Sequence, residues 1–241
     1  MTVTGAARNR GGTFILSSEA ISLQLSVPRI LLSALGGLVC GVLGILLAKF
    51  LLHRRGLDDP FTAKNGYLPI IAMLLPGAAV GAFTGGIVPP IVGLLLMICC
   101  LTVSVTDCAH RILPNEAVLA ILLIKLLFGI PTLCGVQGFL PFDLIQSLIG
   151  LACCFAVFAL PGLFGKKVGA GDIKLAAAAG FFLGINYALL AVMLMGVFVI
   201  IYSIVQRKVP FLSFFKTYIP MGPFIAAGLF IAYLFSLNLS F

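Results

Sequence analysis

Charge is scarce in this chain. Only 9% of its 241 residues are Asp, Glu, Lys or Arg, and seven are acidic. A water-soluble domain carries about 25% charged residues, so there are too few here to cover a water-facing surface. With 61% of the residues hydrophobic, the solvent for most of the chain is lipid. Its length is better counted in spans of about 20 residues than in soluble domains. Paired C-x-x-C motifs are also missing. The seven cysteines are Cys40, Cys99, Cys100, Cys108, Cys134, Cys153 and Cys154. Most lie inside apolar runs, and no Cys/His set has the spacing of a zinc site. They read as small apolar side chains in lipid or at helix contacts, and neither a metal nor another cofactor is expected. The net charge of +8 does not point to nucleic acid. The basic residues sit in short loops between apolar runs, a pattern that reports topology and contact with anionic lipid.

The apolar runs predict an all-α, polytopic transmembrane bundle of about eight spans. Residues 1–29 are more polar and read as an N-terminal tail or interfacial helix, followed by a transmembrane domain over 30–241. The spans expected are 30–52, 67–84, 88–106, 117–134 and 144–164. A short sixth begins at 175, the seventh covers 187–205 and the eighth 221–237. The apolar run 175–205 is too long for one ordinary crossing, and Gly184-Ile185-Asn186 offers the break. Small residues at helical spacing, Gly37-x-x-x-Gly41 and Gly77-x-x-x-Gly81-x-x-x-Gly85, predict close helix contacts.

With eight spans, Arg54, Arg55, Lys64, Arg111, Lys166, Lys167, Lys174, Arg207, Lys208 and Lys216 all fall on one side. The opposite inter-helix segments, 85–87, 135–143 and 184–186, contain no Lys or Arg. The positive-inside rule makes the basic side cytoplasmic, so the expected location is the cytoplasmic (inner) membrane, multi-pass. Arg8, Arg10 and Arg29 are discordant. Merging the sixth and seventh helices would put Arg207, Lys208 and Lys216 outside, so the split is preferred.

Glu19, Asp58, Asp59 and Asp143 lie in a tail or loops, where solvation accounts for them. Asp107, Glu116 and Asp172 fall on the cytoplasmic side. Asp107 directly follows an apolar span and Asp172 precedes one. A carboxylate at the edge of the hydrocarbon is costly unless solvated or paired, which makes it a functional candidate; the competing reading is an interfacial helix cap. Asp107 opens Thr106-Asp107-Cys108-Ala109-His110-Arg111-Ile112-Leu113-Pro114-Asn115, and Asp172 closes Val168-Gly169-Ala170-Gly171-Asp172. Gly169 and Gly171 leave bare backbone beside a carboxylate, where a substrate backbone is expected to approach. Two carboxyls on one face cannot both ionise cheaply. The ionised one takes a proton from water while the protonated one polarises a scissile carbonyl.

The spaced Asp107 and Leu113-Pro114-Asn115, with Gly169-Ala170-Gly171-Asp172-Ile173-Lys174-Leu175, resemble the two signatures of type IV prepilin peptidases, the GxGD-type membrane aspartyl proteases. Ile219-Pro220-Met221-Gly222-Pro223-Phe224 is similar to a third stretch of that family. The resemblance covers about 88–238, with the two signatures inside 88–184. It implies packed transmembrane helices with the site at the cytoplasmic face, and Asp107 and Asp172 as the catalytic pair. It also implies partners: prepilin or pseudopilin precursors of pilus, secretion or competence systems, cleaved of their short basic leaders after a glycine. Gly169, Gly171, Lys174, Leu113, Pro114 and Asn115 are the residues expected to bind substrate or shape the site, and Lys174 is expected to favour the ionised form of Asp172.

One departure matters. Many bacterial members carry a cytoplasmic domain with paired C-x-x-C motifs between the first two spans, tied to N-methylation of the new pilin N-terminus. Here that loop is only 53–66 and holds no cysteine, which puts methyltransferase activity in doubt. Lys166 and Lys167 are candidates for lipid phosphate or an acidic residue of the mature pilin. His110 and Arg111 either order the site or are solvated, and Asn115 and Glu116 are expected to cap the fourth span's helix. Lys125, deep in the fourth span, must pair or reach water; a structural role ranks ahead of substrate contact. Two rival readings remain open. A small transporter would place charges deep in several spans, and only Lys125 fits. A non-catalytic assembly scaffold would leave both aspartates replaceable.

Overall fold

A computed structural model describes residues 17–58, 67–136, 138–163, 169–206 and 220–238. Among the described residues every regular element is a helix, as expected of a chain in lipid, where backbone groups must be satisfied within the segment. The elements are α1 (Ser17–Arg54), α2 (Tyr67–Ala72), α3 (Leu74–Phe83), α4 (Val88–His110), α5 (Asn115–Leu133), α6 (Leu144–Leu163), α7 (Ala170–Gln206) and α8 (Gly222–Asn238). The chain is a polytopic all-α bundle. Large apolar side chains cover its outside: Leu75 is 80% exposed, Ile87 78% and Leu32 73%. Contiguous exposure on this scale belongs to a lipid-facing surface, because soluble monomers rarely tolerate it.

Several boundaries differ from the sequence expectation. The first helix runs unbroken from Ser17 through Pro28 into the expected span 30–52; residues 1–16 lie outside the described part. The second span is interrupted. Pro76 has no N–H to give Ala72 and its ring crowds that carbonyl, so the helix turns at Met73 and restarts at Leu74. α4, the third expected span, continues past Thr106 to His110, so Asp107 lies in a helical turn rather than in the polar segment after it. Arg111 closes this helix in the left-handed conformation (φ 56°), its N–H bonded to the Asp107 carbonyl at 2.9 Å.

The apolar stretch 170–204 is long enough to count as a single span by length and composition, but it is not straight. Gly184 breaks the helical dihedrals with φ 73° and ψ 168°, a left-handed φ open to glycine. Ala176 and Ala179 before the break share a small apolar gap with Ala191 and Met195 after it. At about 1.5 Å per residue a continuous helix would hold Ala176 and Met195 nearly 30 Å apart. The chain therefore doubles back at Gly184, and α7 is two arms, as the Gly184-Ile185-Asn186 break predicts.

Glycines set the closest helix contacts. A Cβ on Gly37 would lie 3.0 Å from the Gly77 Cα, and one on Gly77 would lie 2.7 Å from the Ser33 carbonyl oxygen. Neither space exists, so α1 and α3 touch backbone to backbone. Gly150 and Gly180 do the same for α6 and the first arm of α7, each facing the other's carbonyl. α4, α5, α7 and α8 share a core around Leu96, Ile121, Leu175, Phe182, Leu229 and Tyr233. The Tyr233 hydroxyl donates to the Pro89 carbonyl at 2.6 Å, which ties the end of α8 to the start of α4.

Candidate active site

Four helix ends converge where the aspartates lie. α4 ends there, α5 and α7 begin there, and α8 begins there. Asp107 sits in the last turn of α4 and is 5% exposed. One of its carboxylate oxygens, Oδ2, accepts the Gly222 N–H at 2.7 Å, a contact spanning 115 residues of sequence. Gly222 is the first residue of α8 and Pro223 follows it. The first N–H groups of a helix have no partner inside it, and the helix dipole adds positive potential at that end. The start of α8 is thus aimed at the Asp107 carboxylate. A Cβ on residue 222 would lie 2.8 Å from Asp107 Oδ2 and 2.9 Å from its Cβ; only glycine lets the backbone come this close.

Asp172 lies in the first turn of α7. Its Oδ1 is buried and has no hydrogen-bond partner among the described residues. Its Oδ2 occupies the space a Cβ on Gly169 would need, at 2.7 Å. The two carboxyls are close enough to interact electrostatically.

On the side where a Cβ would stand, the glycine signature packs against the protein itself, while Gly169 is exposed and Gly171 partly exposed. At Gly171 that side is occupied by Leu113. A Cβ there would meet Leu113 Cβ at 2.9 Å and Cδ1 at 3.0 Å. The bare backbone at 169 makes room for Asp172's own carboxyl, and that at 171 for Leu113. The Leu113-Pro114-Asn115 segment is therefore packed directly on the helix turn that carries Asp172.

Pro114 is fully buried and takes the N-cap position of α5 with extended dihedrals. Its carbonyl accepts the Ala117 and Val118 N–H groups at 3.2 and 3.4 Å. Pro114, not Asn115 or Glu116, is thus the cap. Asn115 Oδ1 instead accepts from Lys174 Nζ at 3.4 Å. Glu116 pairs with Arg55 at 2.9 Å, linking the end of α1 to the start of α5. Both partners are partly exposed, and such pairs contribute little stability. Lys174 points to Asn115 rather than to Asp172, so its expected effect on the Asp172 carboxyl has no contact behind it. His110 Nε2 reaches the Asp58 carbonyl at 2.9 Å. Lys166 and Lys167 lie outside the described residues.

Sequence reasoning quoted Gly222 as part of a familiar stretch but gave it no role. A local signal existed: a proline in the first turn of a helix sets its start, which leaves the preceding glycine N–H free.

The described basic residues assigned to one side, Arg54, Arg55, Arg111 and Lys174, all cluster at this end of the bundle. Among the described residues no group of three or more His, Cys, Asp or Glu could hold a metal ion. Comparison with curated proteins and with solved structures returned no match. A family model does match: the type IV leader peptidase family, over residues 94–204. That segment contains both Asp107 and Asp172, the turn of α7 and the packed Leu113-Pro114-Asn115 segment, and over it the chain is similar to the type IV leader peptidase family.

Proposed function

We propose that the chain is an aspartic endopeptidase that removes the short basic leader from prepilin-like precursors at the cytoplasmic face of the membrane. The observation that carries this reading is the unequal setting of the two carboxyls. Asp107 accepts an N–H from a helix N-terminus, which favours its ionised form. Asp172 has a buried oxygen that finds no donor among the described residues, a setting that favours a neutral, protonated acid.

The chemistry then follows. Asp107 takes a proton from water as the water oxygen attacks the scissile carbonyl. Asp172 donates its proton to the carbonyl oxygen, so the tetrahedral intermediate forms without a free oxyanion. Collapse breaks the C–N bond, Asp107 passes its proton to the leaving amine, and Asp172 recovers its own. The short loop after α1 has no paired cysteines, so the proposal is peptidase activity without N-methylation. Residues 30–241 form the catalytic membrane domain. The test is co-expression with a prepilin: the leader is removed, and an N-terminal sequence beginning after the leader glycine identifies the cut. A precursor that stays intact beside well-inserted protein rejects the reading.

The orientation is part of the proposal. Eight crossings put the aspartate end in the cytoplasm. In a background stripped of native cysteines, Arg55→Cys reacts with a membrane-impermeant thiol reagent only after the membrane is opened. Val136→Cys and Asn186→Cys react in intact cells. An Asn186→Cys that no aqueous reagent reaches from outside means that α7 does not surface at its turn, and the eight-span count fails.

A further inference from the structure

The opposite end of the bundle holds a second polar feature that the peptidase chemistry does not use. Lys125 lies in α5, ten residues from its aspartate end. That is about 15 Å along the helix. The residue is 7% exposed. Its Nζ donates to the Pro141 carbonyl at 2.9 Å and sits 5.5 and 5.6 Å from the ring centroids of Phe142 and Phe182. An ammonium has three hydrogens to give, and among the described residues only one finds an acceptor. No acidic side chain of the described residues forms an ion pair with it. Asp143 is nearby in sequence to Pro141, but its Oδ1 accepts the Ile145 and Gln146 N–H groups, at 2.9 and 3.3 Å, at the start of α6.

Lys125 lines a cavity of about 420 Å³ that also takes in Gln146, Ser147, Asn186, Tyr187 and Asp143. The helix directions place this cavity away from the aspartates. α5 and α7 start at the aspartate end, and the cavity meets α7 at its Gly184 turn. α8 also starts there, and the cavity reaches α8 at Ser236, near its far end. A volume of several hundred Å³ with mainly apolar walls and a few convergent polar groups is the usual form of a small-molecule site. A cation kept this deep in a membrane protein is costly unless it is balanced. Two aromatic faces and one carbonyl offset part of that cost but leave the positive charge uncompensated.

We propose that this cavity is a binding site for an oxyanion headgroup, a phosphate carried on a largely apolar molecule or free in solution, with Lys125 as its ion-pair partner. The site is separate from the aspartate pair and does not rest on the peptidase reading. The rings of Phe142 and Phe182 flank the ammonium and shield the ion pair from water, and the remaining ammonium hydrogens are available to phosphate oxygens.

The test is thermal unfolding of the purified full-length chain in a non-ionic detergent. Three probes are titrated: a short-chain phosphatidate, the matching diacylglycerol, and inorganic phosphate against chloride of equal ionic strength. A ligand that binds only the folded protein raises Tm in a saturable way. The wild type is stabilised by phosphatidate and not by diacylglycerol. In Lys125→Met, which keeps the length and removes the charge, the phosphatidate affinity falls at least about tenfold, while Lys125→Arg retains most of it. Phosphatidate alone among the probes identifies a lipid headgroup, and a matching response to inorganic phosphate identifies a soluble anion. Diacylglycerol acting as well as phosphatidate, or no response of the wild type to either phosphate-bearing probe, overturns the proposal even if Lys125→Met does not fold. An undiminished response of a folded Lys125→Met overturns it equally.

Discussion

Asp107→Asn and Asp172→Asn each stop leader cleavage while the protein inserts and purifies as before. The fold is expected to survive for a different reason at each position. At 107 the amide oxygen still accepts the Gly222 N–H, now bonded at 2.7 Å. At 172 the buried oxygen has no hydrogen bond to lose among the described residues. What each variant lacks is a titrating proton. An amide cannot take a proton from water, nor hand one to a carbonyl oxygen. Removing one general acid or base commonly costs about 10²–10⁴ in rate. Because the two act as a unit, the double variant is little worse than either single one. The measurement is the ratio of processed to unprocessed precursor over time, with protein level and Tm as controls. Near-normal processing by either single variant eliminates the dyad and brings back the transporter and scaffold readings.

Gly222→Ala is the second large effect. An added Cβ would lie 2.8 Å from Asp107 Oδ2, 2.9 Å from its Cβ and 3.1 Å from its Cγ. Real Cβ atoms essentially never show the two shorter of these distances, so either α8 or the Asp107 side chain must move. Alanine is otherwise a better helix residue than glycine, so the variant isolates the close approach from helix stability. Processing falls by about tenfold or more, the scale expected when one hydrogen bond to a charged group is lost. A second readout separates positioning from general damage. The N–H favours the ionised base, so its loss moves the acidic limb of the cleavage rate to higher pH. A lower rate with an unmoved acidic limb assigns Gly222 to packing alone.

Much of the architecture was legible because lipid imposes simple rules. Apolar length gave the helices, and the glycine at 184 gave the reversal, since few other residues accept its dihedrals. The two aspartates stood out because so few charges surround them. The contacts between them were not legible. Gly222 meets Asp107 across 115 residues, and Leu113 fills the space beside Gly171. Neither leaves a periodic trace in the chain. The packing of Asp172's own carboxyl and of Leu113 on the Cβ sides of Gly169 and Gly171 was not legible either. The break at Met73 was a missed local signal, since Pro76 announces it. Lys125 was conspicuous as a charge in an apolar run, but its partners, a loop carbonyl and two rings, come from other elements.

The reversal at Gly184 also bears on how deep the aspartate pair sits. The first arm of α7, from Ala170 to the turn, holds about 14 residues and is some 21 Å long. The hydrocarbon core is about 30 Å thick. If the turn reaches one surface, the end bearing Asp172 stops well short of the other, and the bilayer must thin around it or the carboxyl must lie beneath the headgroups. The close backbone contact between Gly150 and Gly180 restrains the arm from sliding upward to relieve this mismatch. On the proposed function, a precursor whose helix stands in the same membrane would therefore be met at the level where it emerges, with no need to be drawn out into the water first.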